Sequence, residues 1–512
     1  MEEFIAGNLV LPFYYCSDRI FTSCIFTSDR GGGLRLCYHT FKTNNLQERK
    51  GTAVLSHGYS SHSLAEFLNL ELNNKEKDSE NSQIKKINSI SNEKNKQKQT
   101  KDDLSINKIS LPINPLSNCK YTTTYKNSYI EQLNLNGYDV IMLDIEGHGF
   151  SQGVRYNIED LDNCSYSIIQ MLQMEIIRYN NLDSNLESTS ENYDKFDIVS
   201  FTWNTNDTNN LYKGEYVSNL TNMTNSKNYI PLNNRICCHC NSRNCLIERT
   251  FGEEFILCGI SMGGALVLRI FEIIGETLGK SSSLSSSFLS CFSSRICCGI
   301  LLSPMLSLEK VQRKFSNRLL LPLLPLASYF LPNLQVGSHS SNPVCEHIFS
   351  FSRDDPLTYN KRVKALMCRT LLEFVKLVQA KLCFYPLHIP LLICHCVHDS
   401  LTDFDGSRNT INTLQSMYKE YTDENFSNNR GSSMNDIKIQ KSNFALWPIT
   451  SNNMWHVLTR EVGYFDLLQD ILSWITSKST KPNTRLNKLN IGNTNNICDS
   501  LYNTPSTGIT SD

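Results

Sequence analysis

Long apolar runs are missing from this sequence. None reaches the roughly 20 residues that a bilayer-spanning helix needs. The nearest, residues 319–332 (LLLPLLPLASYFLP), is short and carries three prolines. An excess of one charge is missing too: 49 Lys and Arg stand against 50 Asp and Glu, a formal net charge of −1. That balance removes the electrostatic case for a nucleic-acid partner or for binding through a basic surface. A basic and then apolar opening is also lacking, since Glu2 and Glu3 stand where a secretory leader carries Lys or Arg. The 19 cysteines have no even spacing. They are therefore expected as reduced thiols of a cytoplasmic protein rather than as a disulfide framework.

What is present is alternation. Apolar runs at 53–56, 139–143, 255–259, 296–302, 391–396 and 444–447 read as strands, and residues 125–136, 158–178, 262–278 and 404–419 carry helical spacing between them. Strands with near-continuous apolar character are buried on both faces, as in a mostly parallel sheet flanked by helices. Residues 14–41 read as an antiparallel start, with Gly31-Gly32-Gly33 turning between two strands. Polar, Asn- or Ser-rich stretches at 73–108, 181–250, 280–288 and 422–441 read as loop insertions, and the tail from 479 to 512 as disordered. The predicted organisation is a core in two parts, 1–304 and 389–478, with a helical cap at 305–388. The cap is expected because Val363, Leu366, Met367, Leu371, Phe374, Leu377 and Val378 recur at helical spacing.

The chemistry is carried by a few short motifs. Gly259-Ile260-Ser261-Met262-Gly263 fits G-x-S-x-G, with a strand pattern before it and a helix pattern after it. That context makes a nucleophile elbow, in which a sharp turn holds the serine hydroxyl exposed. Ser261 is the candidate nucleophile. His57-Gly58 ends an earlier strand, so the backbone N–H of Tyr59, with that of Met262, is placed to hold a developing oxyanion; His57 itself is expected to be structural. The acid and then the base should follow the nucleophile in chain order. Asp399, at the end of the 391–396 strand, is the candidate acid, with Asp403 and Asp405 as rivals. His456, after the last strand, is the candidate base. The loop Gly147-His148-Gly149-Phe150-Ser151-Gln152-Gly153 lacks both the P-loop lysine and the G-x-G-x-x-G spacing, so it reads as a tight turn beneath the site. Cys237, Cys238, His239, Cys240 and Cys245 crowd into one short loop without a distant second pair, and are expected to be thiols rather than a zinc site. No metal and no cofactor are expected.

These pieces together resemble the monoglyceride lipase/lysophospholipase branch of the α/β-hydrolases, grouped with serine aminopeptidase S33-like domains. The resemblance is carried by Ser56-His57-Gly58-Tyr59, by Asp144 with the 147–153 loop, by Gly259 to Gly264, and by Ser303-Pro304. It continues through residues 331–334, Asp355-Pro356-Leu357, residues 398–403 and Trp455-His456. Ile260 departs from the histidine common before the nucleophile in that branch. The resemblance implies an α/β-hydrolase fold with a membrane-associating helical cap. The expected activity is hydrolysis of a single-chain lipid ester, a monoacylglycerol or lysophospholipid, through an acyl-enzyme. Alternatives are a short-chain carboxylesterase, an acyltransferase, or a catalytically silent binding protein. Leu320, Leu323 and Leu324 are the expected lipid-facing cap residues, with peripheral membrane contact through them; no nucleic-acid partner is expected.

Overall fold

The computed structural model describes residues 21–30, 32–43, 48–72, 121–184, 199–202, 246–279, 286–313, 318, 321–337, 344–428 and 443–479. Its strands are β1 (Thr22–Thr27), β2 (Arg35–Phe41), β3 (Gly51–Ser56), β4 (Asn69–Leu72), β5 (Tyr121–Thr124), β6 (Tyr138–Leu143), β7 (Val199–Thr202), β8 (Glu254–Ile260), β9 (Ile296–Leu302), β10 (Leu391–Cys396) and β11 (Phe444–Ile449). All but β4 and β5 form one nine-stranded sheet, ordered β11-β10-β9-β8-β3-β6-β2-β1-β7. The run from β11 to β6 is parallel. The edge formed by β2, β1 and β7 is antiparallel. In the parallel centre every residue of β3, β6, β8, β9 and β10 is buried. This is why those segments are apolar without alternation: both faces of the sheet are covered.

The covering helices are α1 (Ser63–Phe67), α2 (Tyr129–Leu135), α3 (Leu161–Ser184), α4 (Leu246–Phe251), α5 (Met262–Gly279), α6 (Ser286–Ser294), α7 (Glu309–Arg313), α8 (Leu324–Phe330), α9 (Glu346–Asp354), α10 (Ala365–Lys381), α11 (Phe404–Asn428) and α12 (Tyr464–Lys478). Successive strand side chains point to opposite faces, and the core divides accordingly. Val54, Ile141 and Leu257 join α3, α5 and α6 on one side. Ala53, Leu55, Met142, Cys258 and Cys394 join α1, α2 and α12 on the other. The cysteines at 297, 298, 394 and 396 are buried, as are the other described cysteines in the strands. The cluster at 237–245 lies outside the described residues.

The cap helices α7 to α10 lie between β9 and β10. They are latched to the core by a buried contact of 3.1 Å between His62 Nε2, at the start of α1, and Asp355 Oδ2.

Three expectations about the insertions need correction. The stretch 181–250 is not wholly a loop: α3 runs on to Ser184, α4 begins at Leu246, and Val199–Thr202 forms the outer strand β7. That strand is specified by its partner, since Thr202 registers with Thr22 and Val199 with Ile25; its four residues carry too little pattern alone. The serine run at 280–288 gives way to α6 at Ser286, and α11 continues to Asn428, inside the expected 422–441 insertion. Finally, β4 and β5 pair antiparallel, Asn69 with Thr124 and Leu72 with Tyr121. They bring the two ends of residues 73–120 together, a ribbon the sequence pattern did not suggest.

Candidate active site

Ser261 occupies the single residue between β8 and α5. Its φ is 53°, a left-handed conformation that costs a non-glycine residue about 1–3 kcal/mol. The surroundings hold it there. Its N–H donates to Leu302 O at 2.9 Å, and its carbonyl accepts the N–H of Met305 at 2.9 Å and of Gly264 at 3.0 Å. The glycines of the motif answer to close approach. A Cβ on Gly259 would lie 2.2 Å from Gly263 O, and one on Gly263 would lie 2.2 Å from Ser56 O. The G-x-S-x-G spacing is therefore a steric consequence of packing a strand-to-helix turn against β3.

Asp399 follows β10 and is buried. Its Oδ1 accepts the N–H of Leu401 at 2.7 Å and of Thr402 at 3.1 Å. Its Oδ2 accepts the Thr402 hydroxyl at 2.9 Å and lies 2.6 Å from His456 Nδ1. A second imidazole touches the same oxygen: His395 Nε2 is 3.3 Å away. Burial alone would raise the Asp399 pKa, but the facing imidazoles of His456 and His395 outweigh it and hold the carboxyl well below the usual carboxylate range. Burial in turn lowers the pKa of His456, and the Asp399 charge and hydrogen bond more than reverse this, so it lies above the ordinary 6.5.

The loop carrying His456 is clamped by a residue that sequence reasoning missed. The buried Glu461 carboxylate accepts the backbone N–H groups of Trp455 at 2.6 Å, His456 at 3.1 Å and Val457 at 3.0 Å. The rival acids are occupied elsewhere. Asp403 Oδ2 accepts the Ser307 hydroxyl at 2.7 Å and the Lys310 N–H at 3.0 Å, at the start of α7. Asp405 pairs on the surface with Arg408 at 3.0 Å.

Around Ser261, the backbone of Gly58 passes so close that a Cβ there would sit 3.2 Å from Ser261 Cβ; Tyr59 follows it. Met262 opens α5, and the first N–H groups of a helix lack intrahelical acceptors and lie at its positive end. His57 is structural, as expected. Its Nδ1 donates to Gly58 O at 2.8 Å and its Nε2 accepts the Ile145 N–H at 3.0 Å, and burial lowers its pKa. The 147–153 loop is the expected tight turn, with Gly147 N–H bonded to Gln152 O at 2.9 Å.

Cys37, His39 and Asp144 bring three potential metal-ligand atoms within 4.8 Å of one another. Their chemistry does not fit a metal. Asp144 already accepts from Ser63 N–H, Phe150 N–H and His39, His39 Nδ1 pairs with the Ser23 hydroxyl at 2.9 Å, and burial keeps the Cys37 thiol protonated by raising its pKa. The trio knots the 147–153 turn to the sheet.

Ser261, His456 and Tyr59 line one cavity of about 730 Å³ whose far wall is the cap, including Leu321, Leu323, Leu324 and Leu371. Such a volume suits a mid-sized organic ligand. Its polar end includes Glu66 and Arg460. Arg460 is buried, and its Nε and Nη2 have no hydrogen-bond partner among the described residues. Burial pulls its pKa down to about 10, against the nearby charges of Glu66 and Asp355, so it stays charged at neutral pH.

The cap face differs from expectation. Pro322 and Pro325 break the apolar run into a 3-10 turn (Leu321–Leu323) and α8, as proline should. But Leu324 is only 7% exposed, because it and Ser328, one helical turn on, are the buried pair of α8, which packs against α10. Leu323 is 57% exposed, and the outward apolar surface continues through Leu326, Tyr329, Phe330 and Leu331, at 58–77%. Leu320 lies outside the described residues. No described helix is long and apolar enough to cross a membrane.

Residues 244–424 match the family described as Hydrolase_4, serine aminopeptidase, S33. Among solved structures, the chain is similar to a monoacylglycerol lipase of Paleococcus ferrophilus at 14% identity, over 87% of this chain and 99% of that one, with a TM-score of 0.42. It is similar to a soluble variant of monoglyceride lipase from Saccharomyces cerevisiae at 12% identity, over 89% and 95%, with a TM-score of 0.43. Est1E of Butyrivibrio proteoclasticus, bound to ferulic acid, is 12% identical over 89% and 98%, with a TM-score of 0.34. No curated protein matches the chain in sequence.

Proposed function

We propose that this chain, which has the α/β-hydrolase fold and whose residues 244–424 match the serine aminopeptidase S33 family, hydrolyses single-chain lipid esters through Ser261, His456 and Asp399. The observation that carries this reading is the 2.6 Å contact of His456 Nδ1 with Asp399 behind a cavity that Ser261 and His456 both line. In this mechanism Ser261 Oγ attacks the ester carbonyl while His456 Nε2 takes its proton. The oxyanion is held by the N–H groups of Tyr59 and Met262. His456 then protonates the leaving alcohol, leaving an acyl group on Ser261, and next deprotonates the water that releases the fatty acid. No cofactor takes part. An apolar cavity with one charged end suits an amphiphile: the acyl chain lies along the cap leucines, and the head group lies toward Glu66 and Arg460. Monoacylglycerols and lysophospholipids both fit this description. The test is turnover of the purified chain against a panel of monoacylglycerols, lysophospholipids and short-chain esters, alone and with an acceptor alcohol. Preference for short soluble esters, or transfer to the acceptor outpacing hydrolysis, would replace this reading with the esterase or acyltransferase one. Absence of any turnover and of fluorophosphonate labelling would favour a silent binding protein.

The pH dependence follows from the base. His456 accepts a proton only when neutral, and its pKa is raised above 6.5 by Asp399. Protonation on lowering the pH removes the base, so kcat/KM falls as pH drops through that raised value. The acidic limb is expected above pH 6.5 rather than below it. An optimum near pH 5 would exclude this assignment of the base.

We propose a cytoplasmic protein with a peripheral membrane contact, which the exposed cap surface supports. Apolar area removed from water contributes about 25 cal/mol per Å², so a few inserted side chains supply several kcal/mol. Leu326→Ser, Phe330→Ser and Leu331→Ser together are expected to weaken liposome binding more than tenfold and slow long-chain monoacylglycerol turnover. Hydrolysis of a soluble short-chain ester should be largely retained. Equal loss on both substrates would mean that the cap had collapsed and would remove the support for membrane contact.

A further inference from the structure

The catalytic carboxylate is shared by two imidazoles. His395 is the fifth residue of β10, fully buried, four residues before Asp399. Its Nε2 lies 3.3 Å from Asp399 Oδ2, the oxygen that also meets His456 Nδ1. Its Nδ1 lies 2.7 Å from the hydroxyl of Ser407, which is itself buried in the first turn of α11. The negative Asp399 Oδ2 at 3.3 Å favours a proton on His395 Nε2, because a carboxylate oxygen can only accept. Nδ1 then accepts from Ser407, which fixes that tautomer. The ring is further held by the edge of Phe404, at a centroid distance of 5.8 Å, and by Thr402 Oγ1, 3.4 Å from Nε2.

We propose that His395 is a positioning residue, whose Nε2 faces Asp399 Oδ2 as a second imidazole beside His456 and thereby limits how strongly that carboxylate raises the basicity of His456. The inference rests on Asp399 and His456 acting as proposed above. A carboxylate whose charge is shared by two imidazoles stabilises the protonated form of each less than one that faces a single imidazole. Remove His395, and Asp399 concentrates on His456, whose protonated form is then favoured at higher pH. The other titratable groups near His456 are Glu461 and Glu66, and near Asp399 the Cys396 thiol, whose pKa burial raises. None of them substitutes for a donor at Asp399 Oδ2. The sequence cannot reveal this role, because a histidine inside an apolar strand looks the same whether it touches the acid or only fills space.

The test is the titration midpoint of His456, read by NMR on the full chain with labelled histidine and assigned by its loss in His456→Gln. His395→Met removes the donor and is expected to raise the midpoint by about one pH unit, with the acidic limb of turnover moving the same way. His395→Gln keeps an N–H donor at similar reach and is expected to restore most of the wild-type midpoint. Ser407→Ala, which leaves the ring in place but frees its tautomer, is expected to produce a smaller rise and serves if His395→Met does not fold. An unchanged midpoint in His395→Met, equal shifts for Met and Gln, or no shift in Ser407→Ala where Met fails would each overturn the proposal. The midpoint is read without turnover, so failure of the ester-hydrolase reading shows separately, as wild-type protein that a fluorophosphonate does not label at Ser261.

Discussion

Ser261→Ala is expected to abolish turnover and fluorophosphonate labelling while the fold survives. The hydrogen bonds that hold the elbow involve its backbone, not its hydroxyl, and alanine differs from serine by that hydroxyl alone. The left-handed φ of 53° is as tolerable to one as to the other. Loss of the serine of a Ser-His-Asp triad costs about 10⁶-fold in kcat, and activity here should fall to background. Ser60, Ser61, Ser352 and Ser400 also line the cavity. Ser400 Oγ accepts the indole N–H of Trp455 at 3.2 Å. Labelling that persisted in Ser261→Ala would move the nucleophile to one of these four, and peptide mapping of the adduct would say which.

Asp399→Asn should lower turnover by about 10⁴-fold, and the contacts indicate why. The N–H groups of Leu401 and Thr402 both donate to Oδ1, so an asparagine would place its carbonyl oxygen there and turn its NH₂ toward His456. Two donors cannot face one another. His456 would have to present a bare Nδ1 and carry its proton on Nε2, where it cannot accept one from Ser261. Asp403→Asn is expected to keep most of the activity and to lose some stability instead, because Asp403 accepts from Ser307 and from the Lys310 backbone in the cap. Kinetics with circular-dichroism melts on both variants separate the two outcomes. If Asp403→Asn lost more activity than Asp399→Asn at equal folding, the acid would have been assigned to the wrong residue.

Which parts of this protein can be read from its sequence follows from how far apart the cooperating residues lie. The parallel strands were legible because burial on both faces imprints a continuous apolar run, and β3, β6, β8, β9 and β10 fall where those runs are. The elbow was legible because its steric demands fall on residues adjacent in the chain: Gly259 and Gly263 are small on account of one turn. Asp399 and His456 could be named from chain order and from their places at the ends of strands.

Tertiary structure decided what depends on distant partners. Strand β7 exists because β1 offers it an edge, and four residues cannot encode that alone. Glu461 is one acid among 50 acidic residues until three backbone N–H groups converge on it. His395 becomes notable only when the turn after β10 folds Asp399 back onto it. Likewise Leu323 and Leu324 are equivalent in sequence, and only the docking of α8 on α10 turns one outward and buries the other. The sequence by itself pointed to the parallel strands, the helices between them and the candidate residues Ser261, Asp399 and His456, because those readings depend on local periodicity, chain order and covalent neighbours. Orientation, tautomer and exposure were left to the fold, because they depend on side chains that meet only after the sheet has closed.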